Sequence, residues 1–228
     1  MTKKLIAFDL DKTLTDSKMP IAKEMADVLG ELVKSCQVAV ISGGAFHTFK
    51  EQLINPGSIE DEAIRLLHFL PCSGTQYFRY QKGEWQKVYS DELTDTQKQK
   101  ISQALHQAAQ ELGFLQGVSH GDYIEERGGQ VTFSALGQNI VRELGVEGLR
   151  LKEAWDPDNT KKRKLRDRAA ELLPEFDVRI GGVTSVDVTL PGVDKAYGLK
   201  KLMGFLGIGI DEVLFFGDRL TPGGNDYP

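Results

Sequence analysis

The sequence predicts an α/β protein: a mostly parallel core sheet covered by helices and interrupted by an inserted α+β module. Three observations carry this reading. LIAF (Leu5–Phe8) and QVAVI (37–41) are continuous apolar runs, as expected of strands buried on both faces. Helical patterns separate them, as parallel crossovers require. From about residue 85 to 187 the pattern changes to alternating strands that read in pairs, and after Gly192 the strand–helix alternation resumes.

Each element has its own signal. After the first strand, Ile21, Met25, Val28, Leu29 and Leu32 recur at helical spacing, with Pro20 suited to the first turn. QVAVI ends at Ser42 and two glycines, and AFHTFKEQL reads as the next helix. LLHFLPCSGTQYFRYQKGEWQKVY turns back through short strands, with reversals at Gly74 and Lys82-Gly83. DELTDTQKQKISQALHQAAQELG is a long helix that Thr94 and Gln97 can cap reciprocally. YIEERGGQVTFSAL supplies two strands around Gly128-Gly129, Asp156–Asn159 a turn, and the segment from Lys161 another helix. FDVRIGG and SVDVTLPG add two alternating strands; YGLKKLMGFLGI and DEVLFFGD then restore the helix and strand of the core. The expected division is therefore 1–84 with 188–228 for the core and 85–187 for the insertion.

Composition narrows the function. The 228 residues can bury a real core, and 28 basic against 33 acidic side chains give a net charge of −5, which disfavours a nucleic-acid binder. The basic run KKRKLRDR (161–168) lacks interleaved aromatics and reads as a solvated helix start. Cys36 and Cys72, each beside an apolar stretch, are expected as buried thiols rather than a disulfide framework. Charged DLDK follows too soon for a signal-like stretch to form, and no apolar run reaches membrane-spanning length, so no membrane partner and a cytoplasmic location are expected. The sequence stops at GDRLTPGGNDYP, straight after a loop of glycines and acids, where a further stretch of chain is expected.

The chemistry concentrates at strand ends. Asp9, Ser42 and Asp218 each close an apolar strand, and in open α/β sheets the carboxyl ends line the ligand-binding edge. A lone Asp there is commonly a cap or turn residue; several on one edge suggest a site. Asp9 and Asp11 are two residues apart, with Leu10 turned away between them. One ionised carboxylate can attack phosphorus while the other protonates the leaving oxygen and later deprotonates water. A hard divalent cation, magnesium by preference, would offset their repulsion. Asp218 would give it a carboxylate, with Asn225 and Asp226 orienting the metal or its waters. Ser42, the N–H groups around Gly43-Gly44 and Lys195 can receive phosphate oxygens, and Lys195 can also hold Asp9.

These segments resemble the haloacid dehalogenase superfamily of phosphotransferases: Asp9-Leu10-Asp11-Lys12-Thr13 matches its DxDxT motif, Ser42 the strand-end Ser/Thr, Lys195 the basic motif and GDRLTPGGND the acidic one. The resemblance implies a Rossmann-like core with a type IIB (C2B) cap. It makes Asp9 the nucleophile that becomes an aspartyl phosphate and Asp11 the general acid/base. Magnesium would be held by the Asp9 carboxylate, the Asp11 carbonyl and Asp218, and the phosphoryl group by Ser42 and Lys195.

Within the superfamily the chain is most similar to eukaryotic-type phosphomannomutases, through YIEERGGQVTFSALGQ and IGGVTSVDVTLPGVDK. That likeness puts Arg127, Ser185 and Asp187 at sugar-phosphate positions in the cap and allows a cap-mediated homodimer. Family mutases carry further arginines where this chain has His120 and Gln138. Arginine is permanently charged and forks onto phosphate, so its replacement weakens the hold on a distal phosphate. The sequence reading therefore favours magnesium-dependent hydrolysis of a small phosphorylated metabolite, a sugar phosphate, with a phosphosugar mutase as the alternative.

Overall fold

A computed structural model describes residues 3–115, 117, 119–222 and 224–227. Along the chain the elements are β1 (Leu5–Asp9), α1 (Lys23–Leu32), β2 (Gln37–Ile41), α2 (Phe46–Phe49), α3 (Asp61–Ile64), β3 (His68–Leu70), β4 (Gln76–Gln81) and β5 (Glu84–Ser90). They continue with α4 (Asp95–Glu111), β6 (Ile124–Glu126), β7 (Gln130–Ser134), α5 (Ile140–Leu144), α6 (Val146–Trp155), α7 (Thr160–Leu172), β8 (Asp177–Ile180) and β9 (Ser185–Thr189). The last are α8 (Lys195–Leu206) and β10 (Val213–Phe216). The chain forms two compact units, one of Met1–Asp91 with Val193–Pro228 and one of Glu92–Gly192.

These boundaries correct the expected 85–187 at both ends. β5 pairs with β4 in the first unit's sheet, so the insertion starts only after Asp91. β9 runs to Thr189 in the second unit's sheet, which carries the insertion on to Gly192. Hydrogen-bonded pairing, invisible to composition, sets both limits.

The first unit has a six-stranded sheet ordered β10-β1-β2-β3-β4-β5, parallel from β10 to β3 and antiparallel beyond. Its central strands alternate between two apolar cores. Val38 and Val40 face one with Leu29, Phe49, Leu53 and Phe69; Ala39 and Ile41 face the other with Leu5, Ala7, Leu70 and Leu202. Burial on both faces explains the continuous apolar runs. Lys82 (φ 52°) and Gly83 (φ 90°) supply the paired positive φ angles of a tight hairpin turn.

Two expectations for the helices change. α1 begins at Lys23, beyond Pro20, and it buries Ala26 and Leu29 while Met25 and Val28 remain exposed. The helix after β2 is not uniform, because α2 passes into a π-helical turn at Lys50–Ile54. Against the sheet, α8 packs with little clearance: a Cβ on Gly198 would lie 2.6 Å from the Gly74 Cα. That approach fixes the start of α8, where Lys195 sits.

The second unit has an antiparallel sheet ordered β6-β7-β9-β8, with α4 and α7 on one face. Val131, Phe133, Val186 and Val188 pack there against Ile101, Leu105 and Leu165. The Thr94–Gln97 capping box forms as expected at the start of α4. α5 and α6 carry weaker patterns that the sequence reading passed over. Neither cysteine forms a disulfide with another described residue; Cys72 is buried and Cys36 partly so. No helix among the described residues is long and apolar enough to cross a membrane.

One buried titratable group belongs to the fold alone. His68 on β3 shares hydrogen bonds with Tyr77 Oη (2.7 Å) and Gln37 Oε1 (2.8 Å), and burial, aided by Arg79, lowers its pKa to about 4. The folded protein therefore resists a proton that the unfolded chain accepts near its ordinary value of 6.5. The stabilisation is complete above that value and is lost as pH falls towards 4. Urea unfolding should show wild type losing about 2 kcal/mol more than His68→Gln between pH 7 and pH 5; parallel losses would refute it.

Candidate active site

Strand register gathers the site. Asp9 ends β1 opposite Ile41, so Ser42 follows on the neighbouring strand end. On the other side Phe216 pairs with Phe8, so Gly217 and Asp218 leave the sheet beside Asp9. Lys195 opens α8 behind Asp194, whose carboxylate caps the helix by accepting the Tyr197 N–H at 2.8 Å.

The Lys195 ammonium is buried and donates to Asp9 Oδ1 and Asp226 Oδ1, both at 2.5 Å. Asp226 Oδ2 accepts the Arg219 N–H at 3.0 Å, which closes the terminal loop on itself. Gly217 is required beside it, since a Cβ there would stand 2.6 Å from the Asp226 Cγ. Thr13 Oγ1 reaches the second Asp9 oxygen at 3.4 Å. Lys195 thus points inward and holds Asp9, as the sequence suggested it can.

Asp9, Asp218 and Asp226 each place one carboxylate oxygen within 4.8 Å of the others. Burial pushes Asp9 up to about 6, with Lys195 opposing and Asp226 and Asp11 adding to the rise. Asp218 is raised as well, chiefly by burial. Asp9 and Asp226 are buried and share the buried Lys195 ammonium, while the exposed Asp218 beside them pairs with Arg219 at 3.8 Å. A hard divalent cation would relieve the remaining excess of negative charge. Asn225 Oδ1 is buried and meets no hydrogen-bond donor among the described residues. An all-oxygen donor set with an orphaned amide oxygen suits magnesium. Asp226, expected only to orient the metal or its waters, belongs to the carboxylate triplet and anchors Lys195 too.

The Asp11 side chain stands outside that triplet. Its Oδ1 accepts the Lys18 N–H at 2.7 Å and the Gln52 side-chain amide at 3.3 Å. Ser42 is buried; its Oγ accepts the Gly44 N–H at 3.1 Å, so that N–H is already committed and the expected pair of amide donors is not available as drawn. Gly43 lies between them. Cys72, Ser73 and Gly74 all take positive φ (53°, 57° and 83°), and their turn holds the Ser42–Gly44 loop through Ser73 N–H to Ser42 O and Cys72 N–H to Gly44 O, both 2.9 Å. Only Gly74 had signalled this turn.

The second unit presents its own polar surface. Arg127 with Gln130, Glu125 with Thr132, and Ser134 with Ser185 lie on the sheet face opposite α4 and α7, as does Asp187, which pairs with Thr132 and Arg179. Asp187 Oδ1 accepts the Thr132 hydroxyl at 2.8 Å. The buried Arg127 donates to Glu125 Oε2 (2.9 and 2.6 Å) and to Gln138 Oε1 (3.3 Å). His120 pairs with Glu143 at 2.6 Å. Arg127, Ser185 and Asp187 therefore share a face. The basic run on α7 is not uniformly solvated: Lys162 is buried and donates to Gly182 O at 3.1 Å, while Arg168 pairs with Glu111 and Glu171.

The sequence matches the family described as "Eukaryotic phosphomannomutase" over residues 25–228. A phosphomannomutase of Schizosaccharomyces pombe is 30% identical over 99% of this chain and 84% of its own length, and a probable phosphomannomutase of Caenorhabditis elegans 27% identical over 98% and 84%. Among solved structures, a haloacid dehalogenase-like hydrolase from Bacteroides thetaiotaomicron aligns with a TM-score of 0.57 over 95% of this chain and 82% of its own, at 17% identity. The N-terminally truncated Plasmodium falciparum IMP-nucleotidase aligns with a TM-score of 0.67 over the whole chain at 16% identity, and this chain spans 64% of it. At those identities the structures speak for the fold alone. With the family match covering most of the sequence, the chain belongs to the eukaryotic phosphomannomutase family.

Proposed function

We propose that the protein is a magnesium-dependent phosphosugar mutase that works through an aspartyl phosphate on Asp9. The observation that carries this reading is the buried Lys195 bridge between Asp9 and Asp226, within a chain of the phosphomannomutase family. The sequence alone favours hydrolysis; family membership reverses that order.

Lys195 holds Asp9 Oδ1, so Oδ2 is the oxygen placed to attack. It forms a bond to phosphorus as the ester bond to the sugar oxygen breaks, and Asp11 delivers a proton to that departing oxygen. With Asp9 so phosphorylated by a hexose bisphosphate, Asp11 takes a proton from the free hydroxyl of a hexose monophosphate, which attacks phosphorus and releases Asp9. The bisphosphate so formed reorients and gives its other phosphoryl group to Asp9, so the sugar carries a phosphate throughout. Ser42 and Lys195 hold the phosphoryl oxygens, with Gly43 in the loop beneath. Magnesium, held by Asp9, Asp218 and the Asp11 carbonyl and oriented by Asn225 and Asp226, would neutralise phosphate charge and keep Asp9 ionised. Arg127, Ser185 and Asp187 would bind the distal part of the phosphosugar.

Hydrolysis is the second reading, and a specific observation favours it. Arg127 is engaged by Glu125 and Gln138, and His120 by Glu143, so the polar face offers a distal phosphate less positive charge than a set of arginines would. A weaker hold leaves more opportunity for water to reach the phosphoenzyme.

Phosphorus NMR with magnesium, hexose 1- and 6-phosphates and a catalytic amount of hexose 1,6-bisphosphate separates the two. The mutase reading expects interconversion with little inorganic phosphate; predominant phosphate release would transfer the assignment to the hydrolase. Asp9→Asn should lower either activity by at least about 1,000-fold, and wild-type turnover in that variant would reject Asp9 as nucleophile.

Metal binding has a readout independent of turnover. Magnesium at about 100 times its Kd should stabilise the wild-type protein by about 2.7 kcal/mol in thermal unfolding. Asp218→Asn should lose most of that gain, because one carboxylate of the triplet is neutral. Equal stabilisation of both proteins would place the cation elsewhere.

A further inference from the structure

We infer that Gln52 is a positioning residue for the acid/base step, orienting Asp11 from the π-helical turn; this rests on the reading of Asp11 as the general acid/base. Gln52 is 1% exposed, an uncommon state for a glutamine. Its Oε1 accepts the Thr15 hydroxyl at 2.7 Å, and its amide nitrogen donates to Asp11 Oδ1 at 3.3 Å. The Asp11 carboxylate only accepts, so the NH₂ end of the Gln52 amide faces it and the oxygen end takes the Thr15 hydroxyl, which also lies 3.4 Å from Leu10 O.

The π turn puts Gln52 there. Asn55 N–H closes on Lys50 O at 2.7 Å, five residues back, and the extra residue in the turn lets Gln52 and Leu53 both point inward. The Gln52 carbonyl accepts the Ile21 N–H at 2.9 Å, so the turn is tied to the segment following the DxDxT loop. Widened helical turns of this kind recur at functional sites. Here the residue it turns inward is polar and reaches a candidate catalytic carboxylate.

The consequence concerns which Asp11 oxygen carries a proton. Oδ1 accepts two N–H donors, from Lys18 at 2.7 Å and from Gln52. An oxygen so occupied is poorly suited to bear a proton, and no donor among the described residues reaches Oδ2. Gln52 and Lys18 therefore leave Oδ2 as the oxygen that hands the proton to the leaving group and recovers it from the incoming hydroxyl. Without the Gln52 amide, the carboxyl group is held by the Lys18 N–H alone and is free to rotate.

A leaving group that needs no proton reports on this directly. The test compares the rate of phosphoenzyme formation in the first turnover, by rapid quench, for glucose 1,6-bisphosphate and for p-nitrophenyl phosphate. The alkoxide requires protonation and the nitrophenolate does not. In Gln52→Ala the ratio of the p-nitrophenyl rate to the glucose 1,6-bisphosphate rate should rise about tenfold. Thr15→Val should raise it in the same direction by less, and Thr15→Ser, which keeps the hydroxyl, should return it towards wild type. A folding defect lowers both rates together and leaves the ratio flat, which would overturn the inference, as would an unchanged pair of rates. Asp11→Asn separates the two levels: a raised ratio there with a flat one in Gln52→Ala sinks only the role of Gln52, whereas a flat ratio in Asp11→Asn removes the acid/base reading and this inference with it.

Discussion

One buried lysine organises the first unit. Lys195 joins the end of β1 to the loop after β10 through Asp9 and Asp226, residues far apart in sequence. Isolated charges would be costly at such burial, and each is tolerable because it is paired and hydrogen-bonded. The cluster is still short of positive charge, with Asp218 close by and Asp9 raised to about 6 by burial. Under the proposed function, a cation would take up the remaining negative charge and leave Asp9 to face the phosphorus. The glycines at 74, 198 and 217 serve this cluster, letting α8 and the terminal loop approach where a side chain would collide.

The second unit divides its labour by sheet face. Alternation sends Val131, Phe133, Val186 and Val188 into the core under α4 and α7, and sends Thr132, Ser134, Ser185 and Asp187 to the other side. On that polar side Arg127 stands between Glu125 and Gln138. A guanidinium held in this way is well oriented and partly neutralised at once. Under the proposed function, orientation would serve recognition of a phosphosugar and neutralisation would limit how firmly a distal phosphate is gripped.

Much of this was legible from the residues, for physical reasons that differ by element. Continuous apolar runs read as buried strands, which suits β1 and β2, whereas β10 lies at the sheet edge with Leu214 and Phe216 exposed. The ends of the three runs bring Asp9, Ser42 and Asp218 to one side of the sheet. The Thr94 cap was local chemistry and needed no tertiary knowledge. The sheet limits were not local: β5 joins the core because it finds β4, and no pattern within 84–90 says so. The left-handed Cys72 and Ser73 were hidden because their backbone is imposed by hydrogen bonds to the Ser42 loop, against their own preference. Gln52 was missed because a polar residue in a helical pattern reads as surface, and only the π turn carries it inside. Asp226 was assigned too small a part, since its grip on Lys195 depends on a loop whose course the sequence does not encode by periodicity.

The claim beneath the whole account is that Asp9 becomes covalently phosphorylated. Acid quench of the magnesium-loaded enzyme during turnover of a hexose phosphate, followed by peptide mass mapping, tests it most directly. The account predicts an acid-stable, hydroxylamine-sensitive phosphoryl group on the peptide that contains Asp9. A phosphoryl group on any other residue, or turnover with no phosphorylated peptide at any quench time, would contradict it.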